Sequence, residues 1–277
     1  MKQNVSMNGR SFTLSVTVVA ASVLTATILT ASLMDEARLL TGFAPKLQPP
    51  SWAYPFGSDA FGRDMLARTL KGLVLSLQIG LVGATLSVAI ALLLALLAAS
   101  GFRLADTVVS FLVDMTMGLP HLVLLILVSF AFGGGSGGVI IAVAVTHWPR
   151  LTRILRAEIL QLRRTEYITV SRHFGRSRLF IAYHHMLPHL LPQIMVGFLL
   201  LFPHVILHEA SMTFLGFGLE PSTPAIGIIL SESMNYLTTG KYWLGVVPGL
   251  ALLATVLSFD CIGNGVRNLM DPRGAQS

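Results

Sequence analysis

The chain has 277 residues, of which 53% are hydrophobic and only 12% charged, and its mean hydropathy is +0.72. Soluble domains carry roughly a quarter of their residues as charged side chains, so this composition indicates an integral membrane protein built from α-helices. The net charge of +6 is concentrated in connecting segments, which argues against a nucleic-acid-binding protein. A single cysteine, Cys261, excludes an intrachain disulfide and metal sites made of paired cysteines.

Six apolar runs predict six transmembrane helices. The first, Ser11 to Met34, is long enough to cross a hydrocarbon core of about 30 Å and exceeds the roughly 7 to 15 residues of a secretory signal core. We therefore expect an uncleaved first span at 11–34, after a cytoplasmic N-terminus at 1–10. The other predicted spans are Leu73 to Ala99, Val108 to Phe132, Gly138 to Trp148, Leu190 to Leu215 and Trp243 to Gly263.

The fourth predicted span is short, because Gly138 to Trp148 contains far fewer than the ~20 residues of a typical crossing. Charge bias supports it nonetheless. With six spans and an inner N-terminus, inner segments hold thirteen of the 19 Lys and Arg residues and outer segments hold six, as the positive-inside rule expects. We expect a tight outer turn at 133–138 before this span and a helical extension beyond it, with an apolar stripe at Leu151, Ile154, Leu155 and Ile159.

A strongly basic loop at 150–187 follows the fourth predicted span. Its charge predicts a cytoplasmic position. Gly175 can take the positive φ angle of a sharp helix-turn-helix, and Leu187-Pro188 suits the start of a helix that returns to the membrane. An alternative interpretation is a basic amphipathic loop that binds anionic lipid. The positive charges are Arg150, Arg153, Arg156, Arg163, Arg164, Arg172, Arg176 and Arg178.

The spacing within this loop resembles the coupling-loop signature of ABC-importer permeases, which is Glu-Ala-Ala, three residues, Gly, nine residues, Ile, one residue and Leu-Pro. Thr169 replaces the leading Glu and His185 replaces the Ile. The resemblance implies a cytoplasmic coupling helix whose apolar side chains seat in a groove on a separate ATPase. The residues expected to couple to the ATPase are Thr169, Val170, Ser171, Arg172, Phe174, Gly175, Phe180, Leu187 and Pro188.

Three further stretches resemble the oligopeptide, dipeptide and nickel branch of that family. Residues 56–64 match its Gly-Thr-Asp, two residues, Gly-Arg-Asp signature, and residues 209–218 match Glu-Ala, three residues, Phe-Leu-Gly-x-Gly. The closing pattern lies within 248–273, where the usual Asn and Asp appear as Asp260 and Asn264. The matched motif residues are Gly57, Asp59, Gly62, Arg63, Asp64, Glu209, Gly216 and Gly218.

The resemblance implies a type I importer permease in the bacterial inner membrane, with an extracytoplasmic segment at 35–72, a permease core at 73–266 and a cytoplasmic C-terminus at 267–277. The implied partners are a homologous permease in a heterodimer, two cytoplasmic ATPase subunits and an extracytoplasmic substrate-binding protein, within membrane lipid. The sequence contains no Gly-x4-Gly-Lys-Ser/Thr phosphate loop. We therefore expect no enzymatic activity and no cofactor bound by this chain, with ATP–Mg used by the partner subunits.

Histidines within the spans bear on the cargo. His204, His208 and Met212 recur at i, i+4 and i+8 and so share one helix face, and imidazole suits nickel, copper and zinc. His121 and His147 add imidazoles on the third and fourth spans. The alternative is a set of histidines that hydrogen-bond backbone carbonyls, such as the carbonyl of residue 199 that Pro203 leaves without a donor.

The His-x3-His stripe and the pair His147-Trp148 resemble the nickel branch more than the peptide permeases. The expected cargo is therefore nickel or another transition metal, free or as a chelate, with di- or oligopeptides as the alternative. A gradient-driven secondary transporter with Asp114 and Glu209 as proton relays is a distant alternative, because it does not account for the loop. His208-Glu209 begins a zinc-protease motif that lacks its second histidine, which argues against a hydrolase.

Overall fold

Every regular element is a helix in the computed structural model, which describes residues 9–100 and 102–270. The predicted all-α class is confirmed within these ranges. Residues 1–8 and 271–277, which include the Asp271-Pro272-Arg273 part of the closing motif, lie outside them. The α-helices are α1 Gly9–Leu33, α2 Met65–Ala98, α3 Arg103–Gly118, α4 His121–Ala131, α5 Gly135–Thr146, α6 Trp148–Leu162, α7 Glu166–His173, α8 Arg178–Ile181, α9 Leu187–Phe214, α10 Ile226–Leu237 and α11 Trp243–Met270, with a 3-10 helix at Glu36–Leu39 and a π-helical turn at Ala182–Met186.

Four helical segments are long and apolar enough to cross a membrane, which supports the predicted integral membrane class. They are Ser11–Leu33, Met65–Ala98, Leu179–Phe214 and Trp243–Leu269. A fifth crossing results if α3 and α4 are counted as one broken span. The predicted number of six crossings is therefore not confirmed among the described residues.

The third predicted span, Val108 to Phe132, is not one helix. It divides into α3 and α4, whose axes differ by 104°. The break falls at Leu119, which is extended with φ −92° and ψ 146°, because the ring of Pro120 disfavours the helical region for the residue before it. The prediction of a single continuous third helix was wrong for this reason.

The fourth predicted span corresponds to α5, and α6 follows it after one residue, His147. Pro149 in the first turn of α6 has no N–H to donate to the carbonyl of Val145. That carbonyl instead accepts a hydrogen bond from the indole N–H of Trp148 at 2.9 Å. The helical extension is thus present after a break, and its apolar stripe is confirmed at the buried Leu151, Leu155 and Ile159 but not at Ile154, which is 43% exposed.

Helix α2 is the centre of the bundle and contacts α1, α3, α5, α6, α9, α10 and α11. Small residues permit these contacts, as is usual between helices in membranes. A Cβ on Gly83 would lie 2.8 Å from the side chain of Val143, and one on Gly72 would lie 2.8 Å from the carbonyl oxygen of Pro224. Two hydrophobic clusters result, one between α2, α5, α9, α10 and α11, and one between α2, α3, α6 and the start of α9.

The bundle has two ends that differ in structure. The loop end is where α6 leads into residues 163–178, and the opposite end carries residues 34–64 and 215–242. At the opposite end α2 begins at Met65, eight residues before the predicted start at Leu73, because the side chain of Asp64 caps the helix and accepts a hydrogen bond from the N–H of Leu66 at 2.8 Å. Residues 65–72 of the predicted outer segment are therefore helical.

Candidate functional site

The predicted coupling loop is a helix-turn-helix at the loop end. Helix α7 ends in a turn at Gly175, which takes φ +75° as the sequence predicts. The N–H of Gly175 donates to the carbonyl of Arg172 at 3.0 Å, and the N–H of Arg176 donates to that of Ser171 at 3.3 Å. This pair of hydrogen bonds satisfies the last carbonyls of α7. Helix α9 then begins at Leu187 with a proline in its first turn, also as predicted.

The loop exposes some of its apolar side chains, while others anchor it in the hydrophobic core. Phe174 and Leu179 are each 83% exposed, whereas Ile168 and Ile181 are buried in the cluster between α2 and α6. Phe180 was predicted to be a contact residue for the ATPase. Its ring is instead partly buried and stacks on the ring of His184, with the centroids 4.1 Å apart. An exposed apolar surface on an anchored loop is typical of a contact with a protein partner or with the membrane.

Two residues at which the loop differs from the family frame contact each other. Ser171 occupies the second Ala position and His185 the Ile position, and the Oγ of Ser171 lies 3.2 Å from the Nε2 of His185. This hydrogen bond joins α7 to the π-helical turn that leads into α9. Thr169 is exposed, and its hydroxyl donates to the carbonyl of Thr165 at 3.2 Å. The remaining predicted coupling residues, Val170, Arg172, Leu187 and Pro188, lie in α7 or at the start of α9.

Two arginines of the basic segment pair with acidic residues of α3. The guanidinium of Arg156 donates to both carboxylate oxygens of Asp106, at 2.6 and 2.7 Å, and Arg153 pairs with Asp114. Asp114 is therefore paired within the chain, which does not favour it as a proton relay. These ion pairs link α6 to α3 at partly exposed positions.

The motif at 57–64 forms a charged network at the opposite end. The carboxylate of Asp59 accepts hydrogen bonds from Arg63 at 2.6 Å and from Arg68 at 2.7 Å. Arg68, only 2% exposed, also pairs with Glu232 of α10 at 2.8 Å. The predicted motif residues thus fold the segment onto α2 and join it to α10. Gly57 and Gly62 supply turns with φ +74° each.

Glu232 could not be identified from the sequence. It lies 164 positions from Arg68, and no local pattern marks it. The lining of a cavity of about 270 Å³ at this end includes Glu232 together with Asp59, Arg68 and Tyr236. The charged network that joins the 57–64 segment to α10 therefore borders this cavity.

Glu209 joins two helices inside the bundle. Its side chain is fully buried and accepts hydrogen bonds from the hydroxyl of Ser76 on α2 at 2.6 Å and from that of Thr213 at 3.0 Å. Thr213 in turn accepts a hydrogen bond from the N–H of Leu219 at 3.3 Å, beyond the turn at Gly216, which has φ +85°. The carboxylate is thus linked to the motif turn through Thr213.

Three histidines meet in a second cavity, which is lined by residues of α3, α4, α5, α6 and α9. His121 of α4, His147 between α5 and α6, and His208 of α9 place one ring nitrogen each within 4.8 Å of the other two. They line a cavity of about 270 Å³ together with His204. Met212, the third member of the predicted metal set, is fully buried in the larger hydrophobic cluster and does not line this cavity.

Comparison with known proteins identifies the family. The sequence model described as "Binding-protein-dependent transport system inner membrane component" matches residues 87–274. A protein of Brucella suis, provisionally named a peptide transport system permease protein, is 36% identical over 233 residues, which are 84% of this chain and 78% of that protein. The di/tripeptide transport system permease protein DppC of Pseudomonas aeruginosa is 33% identical over 233 residues, which are 82% of this chain and 77% of that protein.

Two solved structures have the same fold. An amino acid ABC transporter solved with histidines aligns with a TM-score of 0.55 and 17% identity, over 71% of this chain and 91% of that chain. An inward-facing methionine ABC transporter aligns with a TM-score of 0.54 and 19% identity, over 73% and 97%. At this level of identity the similarity concerns the fold alone, and it agrees with the predicted ABC importer permease fold.

The family is a transport component of the inner membrane rather than an enzyme, in agreement with the apolar helices of this chain. Its description also implies a substrate-binding protein as a partner. The two relatives are named for peptides, so the predicted nickel branch is not confirmed. The chain belongs to the family of inner membrane components of binding-protein-dependent transport systems, the permeases of ABC importers.

Proposed function

We propose that this permease carries di- or oligopeptides. The observation that carries the proposal is the 36% and 33% identity, over 233 residues in each case, to relatives named for peptide transport. An alignment of 233 of the 277 residues must include the loop at 150–187. The peptide interpretation, given above as the alternative to nickel, is thus the better supported of the two.

In the proposed mechanism, the exposed apolar side chains of this loop seat in a groove on one of the two ATPase subunits, and both subunits use ATP–Mg. Phe174 and Leu179 supply the contact area, and the buried Ile168 and Ile181 transmit the movement to the bundle. A homologous permease completes the translocation path as a heterodimer. In the assembled membrane we expect six crossings, with α3–α4 as the third and α5–α6 as the fourth, and both termini in the cytoplasm.

Uptake in a strain lacking this gene tests the cargo. Uptake of a labelled dipeptide should fall to background and return with the wild-type gene, while uptake of radiolabelled nickel should be unchanged. The double variant Phe174→Ser, Leu179→Ser, which removes the exposed apolar contact, should accumulate in the membrane without restoring uptake. Lost nickel uptake with unchanged peptide uptake would reverse the assignment of cargo.

A transition-metal cargo is a second candidate because of one observation, the meeting of His121, His147 and His208 in a single cavity. Imidazole nitrogens are the protein ligands that nickel, copper and zinc share. The same uptake experiment distinguishes this candidate, since only a metal cargo predicts loss of nickel uptake.

A further inference from the structure

We propose that His121, His147 and His208 form a binding site for one divalent transition-metal ion. The three side chains come from α4, from the junction of α5 and α6, and from α9, so an ion at this position would join three separate helices. Three neutral imidazoles with an open fourth position are a ligand set that zinc accepts in proteins. The chemistry equally suits nickel and copper.

The distance between two of the proposed ligand atoms equals the distance expected between two ligands of one ion. The Nε2 atoms of His121 and His147 lie 3.3 Å apart. Two nitrogens bound at about 2.05 Å to one tetrahedral zinc ion are themselves about 3.3 Å apart. The ring of His208 lies 4.8 Å from that of His121 and 5.4 Å from that of His147, centroid to centroid, and its ligand nitrogen is within 4.8 Å of theirs.

Neighbouring groups hold His147 in the tautomer that a metal requires. Its Nδ1 lies 3.2 Å from the carbonyl oxygen of Val143 and 3.1 Å from the Oγ1 of Thr146. The hydroxyl of Thr146 donates its proton to the carbonyl of Ala142 at 2.8 Å, so Oγ1 accepts from the ring. Both partners are therefore acceptors, and Nδ1 must carry the proton.

The Nε2 of the neutral His147 ring is consequently a free lone pair directed at His121. Metal-binding histidines are usually oriented in this way, with the second ring nitrogen donating to a backbone carbonyl. The cavity leaves room for a fourth ligand from solvent or cargo. Arg150 also lines this cavity, and its positive charge favours an anionic fourth ligand over a neutral one.

The competing explanation is a direct hydrogen bond, with the Nε2–H of His121 donating to the Nε2 of His147 and no ion present. Only the proposed metal site predicts that the isolated protein binds a metal ion. Binding can be measured without transport, so the site is independent of the proposed peptide cargo, and its failure would leave that proposal unchanged.

The test uses the full chain, purified in detergent through a tag without histidines and titrated with Co²⁺ and Zn²⁺. We expect one ion per chain by elemental analysis and the intense visible absorption of tetrahedral Co²⁺. His147→Ala and His208→Gln should each weaken binding on the order of tenfold or more. His173→Ala, which changes an exposed histidine of the loop, should bind as the wild type does.

Gel filtration of each variant verifies that it is folded. Because His147 lies between α5 and α6 and His208 lies in α9, one variant remains informative if the other does not fold. The proposal is overturned if the folded wild type binds no ion. It is equally overturned if His147→Ala and His208→Gln both retain wild-type affinity and the cobalt spectrum, because the ion would then lie elsewhere.

Discussion

Buried polar side chains fix the positions of the helices because few other directional contacts exist in an apolar bundle. A carboxylate away from water is tolerated only when hydrogen-bond donors surround it. Glu209 meets this requirement with hydroxyl groups from Ser76 and Thr213. The hydrogen bond from Ser76 to Glu209 joins α2 to α9. Removing it should lower the stability of the bundle more than it lowers the rate of transport.

Replacement of Glu209 by Ala should lower the apparent Tm of the purified protein more than replacement by Gln. Ala leaves two buried hydroxyl groups without their acceptor, at about 1 to 3 kcal/mol for each unsatisfied group. Gln keeps an acceptor oxygen for Ser76, and its amide can donate to Thr213. The Tm difference should reach about 4 °C or more for a chain of this size.

Thermal unfolding followed by size-exclusion chromatography in detergent measures this difference. Ser76→Ala is a comparison variant in which the carboxylate still accepts the hydrogen bond from Thr213, so its effect should be smaller than that of Glu209→Ala. Equal Tm values for the Ala and Gln variants would show that these hydrogen bonds do not stabilise the bundle.

At the scale of elements, prolines and a glycine decide where helices break. Pro120 separates α3 from α4, and Pro149 separates α5 from α6. Pro192 and Pro203, by contrast, lie inside α9 without ending it. The helix-turn-helix of the loop depends on Gly175, because its φ of +75° is one that other residues rarely adopt.

The loop was predictable because all its determinants are local. A glycine, a Leu-Pro pair and their spacing lie within twenty residues, and each acts on its own stretch of backbone. The bend at Pro120 was missed because the apolar character continues across it, so hydropathy alone predicts one helix. The histidines were named from the sequence, but the meeting of His121, His147 and His208 in one cavity was not predicted. The link from Arg68 to Glu232 was not predicted either, since each of these contacts joins side chains that are far apart in sequence.

Gly175→Pro should separate the permease from its ATPase partners. Proline cannot take the positive φ of this turn, and it removes the N–H that donates to the carbonyl of Arg172. We expect the variant to insert into the membrane, because no atom lies within 4 Å of the added Cβ position, and to lose co-purification with the ATPase subunits.

Gly240→Pro is the matched control. Gly240 also has a positive φ, of +78°, and no atom lies within 4 Å of an added Cβ position. Its N–H donates to the carbonyl of Leu237. Unlike Gly175, it lies at the opposite end of the bundle. Its variant should retain the ATPase subunits. If the Gly175→Pro variant co-purifies with the ATPase subunits as the wild type does, this loop is not the coupling element.

At the scale of the whole molecule, the two ends present different chemistry to their surroundings. The loop end carries arginines beside exposed apolar side chains, whereas the opposite end carries a closed network of ion pairs around Asp59 and Arg68. By the positive-inside rule we expect the loop end to face the cytoplasm, where ATPase subunits are available. With this orientation, we expect the opposite end to face the binding protein that the family description implies.

Labelling with a membrane-impermeant maleimide tests this orientation in intact cells. Replacing the single native cysteine by Cys261→Ser gives a background without thiols. Trp52 and Phe174 are both strongly exposed side chains, one at each end of the bundle. Trp52→Cys should react in intact cells, whereas Phe174→Cys should react only after the inner membrane is permeabilised.

Val19→Cys, on the exposed surface of α1 midway along the helix, should remain unlabelled in both conditions, because lipid covers it. Reaction of Phe174→Cys in intact cells would place the loop on the outer face, where no ATPase could contact it.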